Sequence, residues 1–348
     1  MKYNTEINKL VWLGINLMMI IVMVIIGGIT RLTDSGLSMT NWNLVLGVIP
    51  PTNESEWTAL FDLYRQYPEY KLKNSFMTLE EFKKIFFWEY IHRIWGRLIG
   101  LTFFIPLVFF WIKKAFDNKE KKLLILLTLL GFFQAFMGWF MVKSGLVEKP
   151  DVSHFRLSAH LVTAFAIYSL LLYFFWMIFS SLKPNYICQK IPRINIHKKN
   201  FYISLCLLFL TISAGAWVSG TDAGLSYNNF PYMGEGFLPP ILFAENTNLF
   251  KSLFYDQGFL QFSHRLFATF TLLFILHTIF RANKDDFFKE FKFLFYFLFI
   301  MIIFQYTIGV LVLKLYIPML LALLHQFGSL IILSLLVISI CHAKKKGV

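Results

Sequence analysis

The chain has 348 residues, of which 57% are hydrophobic and 19% aromatic, and its mean hydropathy is positive. A soluble domain has no interior large enough for that much apolar surface, so the composition defines a polytopic membrane protein. The net charge of +13 is gathered in clusters between apolar runs, which excludes a nucleic-acid footprint and reads as a topology signal.

Spanning a bilayer takes about 20 mostly apolar residues per helix. Eight runs meet that length, at about 10–29, 86–112, 123–142, 154–180, 201–219, 258–280, 293–313 and 319–342. With an even number of spans, both termini share one side with the loops after spans 2, 4 and 6. That side carries 19 basic residues, against 10 in the opposite loops, which places both termini in the cytoplasm. A bacterial cytoplasmic (inner) membrane fits this pattern, with lipid as the surrounding partner and no nucleic acid. About nine residues precede span 1 and no small-residue cleavage site follows it, so no cleavable leader is expected. Cys188, Cys206 and Cys341 all avoid the outward loops, so no structural disulfide is expected there.

In chain order, span 1 ends in Gly27–Gly28 and leads into "TDSGLS" at 33–38 and a Pro50–Pro51 pair. The hexapeptide reads as a turn, with Asp capping and Gly supplying a left-handed residue. Trp57, Leu60, Phe61 and Tyr64 then recur at helical spacing, predicting an amphipathic helix lying on the membrane. Thr78 with Glu81 makes a capping box that opens a helix running through "WEYIHRIWGRLIG" at 88–100. Span 3 carries Gln134 and Gly138, and span 4 carries His160. The series then repeats: Ala214–Gly215, "TDAGLS" at 221–226, Pro239–Pro240, "QFSHRLFA" at 261–268, Gln305 with Gly309, and His325. The fold expected is therefore an all-α integral membrane protein built of two tandem four-helix bundles in one orientation, residues 1–182 and 183–348.

His92, His160, His264 and His325 each lie about six residues into an even-numbered span, about 9 Å below its outer edge. Two imidazoles per bundle at one depth suit a haem iron, which takes axial nitrogens on opposite faces of a flat apolar ring. Zinc asks for a third or fourth ligand, which only Glu89 or His154 supplies, and only in the first half. Arg93 and Arg265, each next to a histidine, and Arg97 one turn on, are placed to meet haem propionates. The bland alternative is four hydrogen-bonded interhelical histidines. His154 points to another face, His277 reads as interfacial, His197 as part of a basic loop and His342 as a helix end.

The halves differ at one position. Glu89 precedes His92 by three residues, where Gln261 precedes His264. A carboxylate beside a haem edge moves protons and a glutamine does not, so the first half reads as reactive and the second as a cofactor or electron-transfer site. An ion pair from Glu89 to Arg93 at i+4 is the structural alternative.

The stretches "FWEYIHRIWGRLIG" (87–100), "GGITRLTDSGLSMTNW" (27–42), "VSHFRLSAHL" (152–161), "AGLSYNNFPYMGE" (223–235) and "HQFGSL" (325–330) closely resemble the haem A synthase family, in its alphaproteobacterial and mitochondrial branch. The resemblance implies oxidation of the C8 methyl of haem O to a formyl group, through a hydroxymethyl and then a hydrate that loses water. The product, haem A, serves haem-copper cytochrome oxidases. It implies haem b in the C-terminal half on His264 and His325. In the N-terminal half it implies substrate haem O, with His92 and His160 as iron ligands and Glu89 as the essential carboxylate. Molecular oxygen or water and an unidentified electron carrier complete the reaction; handover from haem O synthase and a homo-oligomer are compatible with it. The chain lacks the cysteine pair that some members carry in the first outward loop. A di-haem b subunit that oxidises quinol shares the histidines but gives Glu89 no role. A transporter of parallel repeats would place its polar groups at mid-membrane.

Overall fold

The computed structural model describes residues 2–40, 49–146, 152–182, 194–243, 248–284 and 286–343. Cys188, Trp42, Lys149 and the basic residues Lys183, Lys190, Arg193 and Lys344 to Lys346 lie outside them. The described residues are helical with no strand, apart from an isolated bridge between Met233 and Gly236. The helices are α1 (Lys2–Leu32), α2 (Glu54–Tyr64), α3 (Pro68–Leu72), α4 (Leu79–Ile112), α5 (Asn118–Gly145), α6 (His154–Leu182), α7 (Ile194–Gly220), α8 (Leu249–Tyr255), α9 (Gln257–Asn283), α10 (Asp286–Lys314) and α11 (Met319–His342). Eight of these, α1, α4, α5, α6, α7, α9, α10 and α11, are long and apolar enough to cross a membrane. They fall where the apolar runs predicted them, and the protein is a multi-pass membrane protein.

Two compact units emerge, residues 15–160 and residues up to 14 together with those from 161 on. In the first, α1 lies along α4. Trp95 Nε1 donates to Met19 O at 2.8 Å, and Thr102 Oγ1 reaches Asn16 Oδ1 at 3.3 Å. α5 approaches α4 through Phe104 and Phe132, whose rings are 5.6 Å apart. In the second, α9 packs along α7 and α10, and α11 packs on α10 and α7, closing a ring of four helices. Thr211 and Thr271 share a hydrogen bond of 2.8 Å across α7 and α9, and Thr269 meets Tyr306 at 3.0 Å across α9 and α10.

α4 begins at the expected capping box: Thr78 accepts from the Glu81 backbone, and Glu81 accepts from Thr78 N at 2.8 Å. Its 34 residues span about 51 Å, well beyond a hydrocarbon core of about 30 Å. The excess is used at the outer end. The apolar stripe of α2 packs on α4 instead of lying on lipid, because Phe82 and Phe86 give Phe61 and Tyr64 a buried partner. Trp57 meets Phe86 edge-on at 5.1 Å. The expectation of a membrane-surface helix is corrected accordingly.

Tyr64 and Glu69 close this outer cap. Tyr64 is fully buried and Glu69 is 5% exposed. Tyr64 OH donates to Glu69 Oε2 at 3.0 Å and accepts from Asn74 Nδ2 at 2.8 Å. Burial pushes the Glu69 carboxyl up from 4.5 to about 7. The charges of Glu89 and Asp34 act the same way, against the hydrogen bond from Tyr64 and the charge of Lys73.

Because Glu69 binds its proton more tightly folded than unfolded, the cap has its full stability below about pH 4.5 and loses it as pH rises through 7, by on the order of 3 kcal/mol. Amide exchange in α2 and α3, corrected for the intrinsic rate, should therefore speed up from about pH 5 to 8. In Glu69→Gln, which keeps an acceptor for Tyr64 but no charge, it should stay flat. Wild-type protection that does not change over that range would refute the titration.

Candidate functional site

The two "TD-x-GLS" turns organise the outer ends of both bundles. Asp34 and Asp222, not the glycines, adopt the left-handed conformation, with φ of 48° and 54°, as aspartate does more readily than most side chains. The expectation that Gly supplies that conformation is corrected. Gly224 is needed for space, since a Cβ there would stand 2.7 Å from Ile317 Cδ1.

Each turn docks on a pair of side chains one helical turn apart on the following even-numbered span. In the first unit, Glu89 Oε1 accepts from Arg93 NH2 at 2.5 Å. Glu89 Oε2 accepts from Ser38 Oγ at 2.7 Å and from Met39 N at 2.8 Å. Arg93 NH2 also donates to Met39 O at 2.9 Å. Both side chains are buried. The i+4 ion pair thus exists, and the loop joins it. In the second unit Gln261 and Arg265 occupy the same places without a negative charge. Gln261 Nε2 donates to Tyr227 O at 3.2 Å. Arg265 donates to the carbonyls of Tyr227, Asn229, Pro231 and Tyr232, at 2.8 to 3.4 Å, and to Gln261 Oε1 at 3.2 Å. Arg265 Nε is buried without a hydrogen-bond partner.

Two of the histidines meet. In the second unit, His264 on α9 and His325 on α11 have ring centres 6.4 Å apart and planes at 86°. Two imidazoles bonded to one metal from opposite sides have ring centres about 6 Å apart, given metal–nitrogen bonds of about 2.0–2.1 Å and the radius of each ring. His264 Nδ1 donates to Thr211 O at 3.1 Å, which directs Nε2 outward as a metal-ligating imidazole needs. The Gln305 amide lies 3.2 Å from Nδ1 of His325. In the first unit, His92 lies on α4 and His160 on α6. Gln134 Nε2 stands 3.3 Å from His160 Nε2, and His160 Nδ1 is buried without a hydrogen-bond partner. All four imidazoles keep an intermediate exposure. Among the described residues no group of three or more His, Cys, Asp and Glu could hold a metal ion. Two facing imidazoles with no third ligand among the described residues fit a macrocycle that brings its own four nitrogens.

Arg97 is half-buried on α4, one turn beyond Arg93. His277 is exposed, as an interfacial residue should be. His197 is not in a loop: it lies in the first turns of α7 and is 2% exposed. His342 is buried against Trp176 and Phe291, with ring centres at 5.2 and 4.2 Å. Spacing had singled out Glu89 and the four histidines. It missed Ser38, the Met39 backbone and Glu69, which belong to the loop and become partners only through folding.

An eight-span helical membrane protein with two histidine pairs, one of them flanked by a buried carboxylate, is the class that fold and site define. A family model described as cytochrome oxidase assembly protein matches residues 10–337, and the chain belongs to that family. Among curated relatives, the "Heme A synthase" of Flavobacterium johnsoniae is 39% identical over 93% of this chain and 94% of its own. That of Rickettsia bellii is 41% identical over 94% and 95%. "Heme A synthase COX15" of Bos taurus is 39% identical over 89% of this chain and 76% of its own.

Arg93→Met leaves Glu89 buried without its counter-charge, and should lower stability by about 3–5 kcal/mol, read as earlier thermal unfolding of the purified protein. Arg265→Met has no buried acid to orphan. It should instead free the 227–232 loop and accelerate its cleavage by added protease, with a smaller thermal shift. Equal thermal shifts in the two variants would contradict this division.

Proposed function

We propose that the protein is a haem A synthase, an oxidoreductase that converts haem O to haem A for cytochrome oxidase. Likeness along nearly the whole chain to relatives of that name carries the reading. The C8 methyl of haem O becomes a hydroxymethyl, then a hydrate that loses water to leave the formyl. The oxygen comes from molecular oxygen or water, and electrons pass to or from a separate carrier.

The site residues divide by bundle, residues 1–182 holding the substrate and 183–348 the resident cofactor. In the second, His264 and His325 would hold haem b, which supplies a one-electron redox centre when bound. The 6.4 Å between their ring centres, enough for one metal atom between the imidazoles, supports this. In the first, His92 and His160 ligate the iron of haem O, and Glu89 takes and returns protons at the methyl carbon being oxidised. Ser38, Met39 and Arg93 fix the carboxylate's orientation. Arg93, Arg97 and Arg265 are the cations assigned to the haem propionates, in addition to the loop contacts that Arg93 and Arg265 already make. Gln261 in place of a second carboxylate supports assigning the chemistry to one bundle only. The chain sits in the bacterial inner membrane with both termini in the cytoplasm.

Haem extracted from purified wild type, made in cells that supply haem O, should include haem A or its hydroxymethyl precursor. Glu89→Gln should accumulate haem O with turnover down by about 10²–10⁴ and haem b content unchanged. If both preparations instead hold two equivalents of haem b that quinol reduces, the protein is a di-haem electron-transfer subunit and Glu89 is structural.

A further inference from the structure

Each of the four histidines faces a glycine on the preceding odd-numbered span. The pairs are Gly27 with His92, Gly138 with His160, Gly215 with His264 and Gly309 with His325. They are not equally close. A Cβ on Gly215 would stand 2.9 Å from His264 Cε1, and one on Gly309 would stand 2.7 Å from His325 Cε1. Neither distance is compatible with the imidazole staying where it is. A Cβ on Gly27 would lie 3.4 Å from His92 Nε2, and one on Gly138 would lie 3.5 Å from His160 Cε1, which is near ordinary van der Waals contact.

The hydrogen bonds to the rings divide less sharply, since Gln134 Nε2 lies 3.3 Å from His160 Nε2 much as the Gln305 amide lies against His325. His264 is tied through Nδ1 to Thr211 O at 3.1 Å. His325 has the Gln305 amide at Nδ1, and Gln305 Nε2 also donates to His325 O at 2.7 Å. Gln305 is itself pressed on Gly328, where a Cβ would stand 2.1 Å from its Oε1. In the first unit His160 Nδ1 has no partner. The hydrogen bonds described for that unit include none to His92.

We propose that Gly215 and Gly309, with Gln305 braced on Gly328, are positioning residues that lock the second pair of imidazoles for a permanently held haem. The looser seats at Gly27 and Gly138 leave the first pair free to swing, so that a substrate haem can enter and leave. The inference rests on the haem reading above and adds a division of labour to it. A ring with a glycine backbone packed close against it keeps one orientation, whereas a ring with a looser seat can shift when the ligand departs.

The test uses the full-length protein with haem b loaded, and reads haem b per chain after extended washing, together with the low-spin EPR signal of the ferric haem. That signal responds to the angle between the imidazole planes. Gly215→Ala and Gly309→Ala should weaken haem b retention about 10- to 100-fold and move the EPR signal. Gly27→Ala and Gly138→Ala should keep haem b within about twofold, as should Gly100→Ala and Gly131→Ala, where a Cβ meets nothing within 4 Å. Alanine favours a helix over glycine by about 1 kcal/mol, so none of the six is burdened in its own helix. Gln305→Ala adds no bulk and removes the brace, and should weaken retention about 10- to 100-fold by loss of an outer hydrogen bond. Gln134→Ala should leave haem b untouched.

Wild-type retention and an unmoved signal in the Gly309→Ala and Gln305→Ala variants would overturn the proposal. So would equal losses from both bundles. Should the Gly→Ala variants fail to fold, Gln305→Ala decides alone. A wild type that binds no haem b at all would instead sink the functional reading beneath it.

Discussion

A glutamate and an arginine one turn apart on a membrane-spanning helix, Glu89 and Arg93, are tolerable only because the preceding loop folds back on both. Neither charge is left to lipid: each oxygen of Glu89 is bonded, one to the guanidinium and the other to Ser38 and Met39 N. Further along the chain, α2 packs over the first turns of α4 through Phe61 and Tyr64. A buried pair of this kind contributes little net stability compared with apolar packing.

The second unit solves the same mechanical problem without a negative charge. Arg265 meets carbonyl oxygens alone, and Gln261 stands where the carboxylate would be. The loop is held there by hydrogen bonds to a guanidinium and an amide. The two sites thus differ by one side chain, Glu89 in the first and Gln261 in the second.

Much of this was legible in the sequence. Apolar length fixes the eight spans, because lipid allows the backbone no other way to satisfy its own hydrogen bonds. The Thr78 capping box and the repeat markers around the histidines depend on local spacing, and local spacing is what a sequence displays. The contents of the outer loop were less accessible. Tyr64 shows its helical periodicity but not that Phe82 and Phe86 would cover it. Glu69 shows nothing, since its burial comes from a fold of the loop. Gly138 and Gly309 were visible as recurring letters. Their meaning, the distance to an imidazole on another helix, exists only in three dimensions. His197 was misplaced because a basic flank resembles a loop even where the helix continues through it.

The close approach of Gly215 and Gly309 to their histidines also sets the mutational tolerance of positions that carry no reactive group. Every substitution at a glycine adds at least one carbon, so at these two sites no exchange is conservative, and the smallest is already too large. Damaging changes should therefore include these two positions on α7 and α10, although neither carries a side chain. A scan that scored importance by chemistry would pass over them, whereas one that scored by volume would find them first.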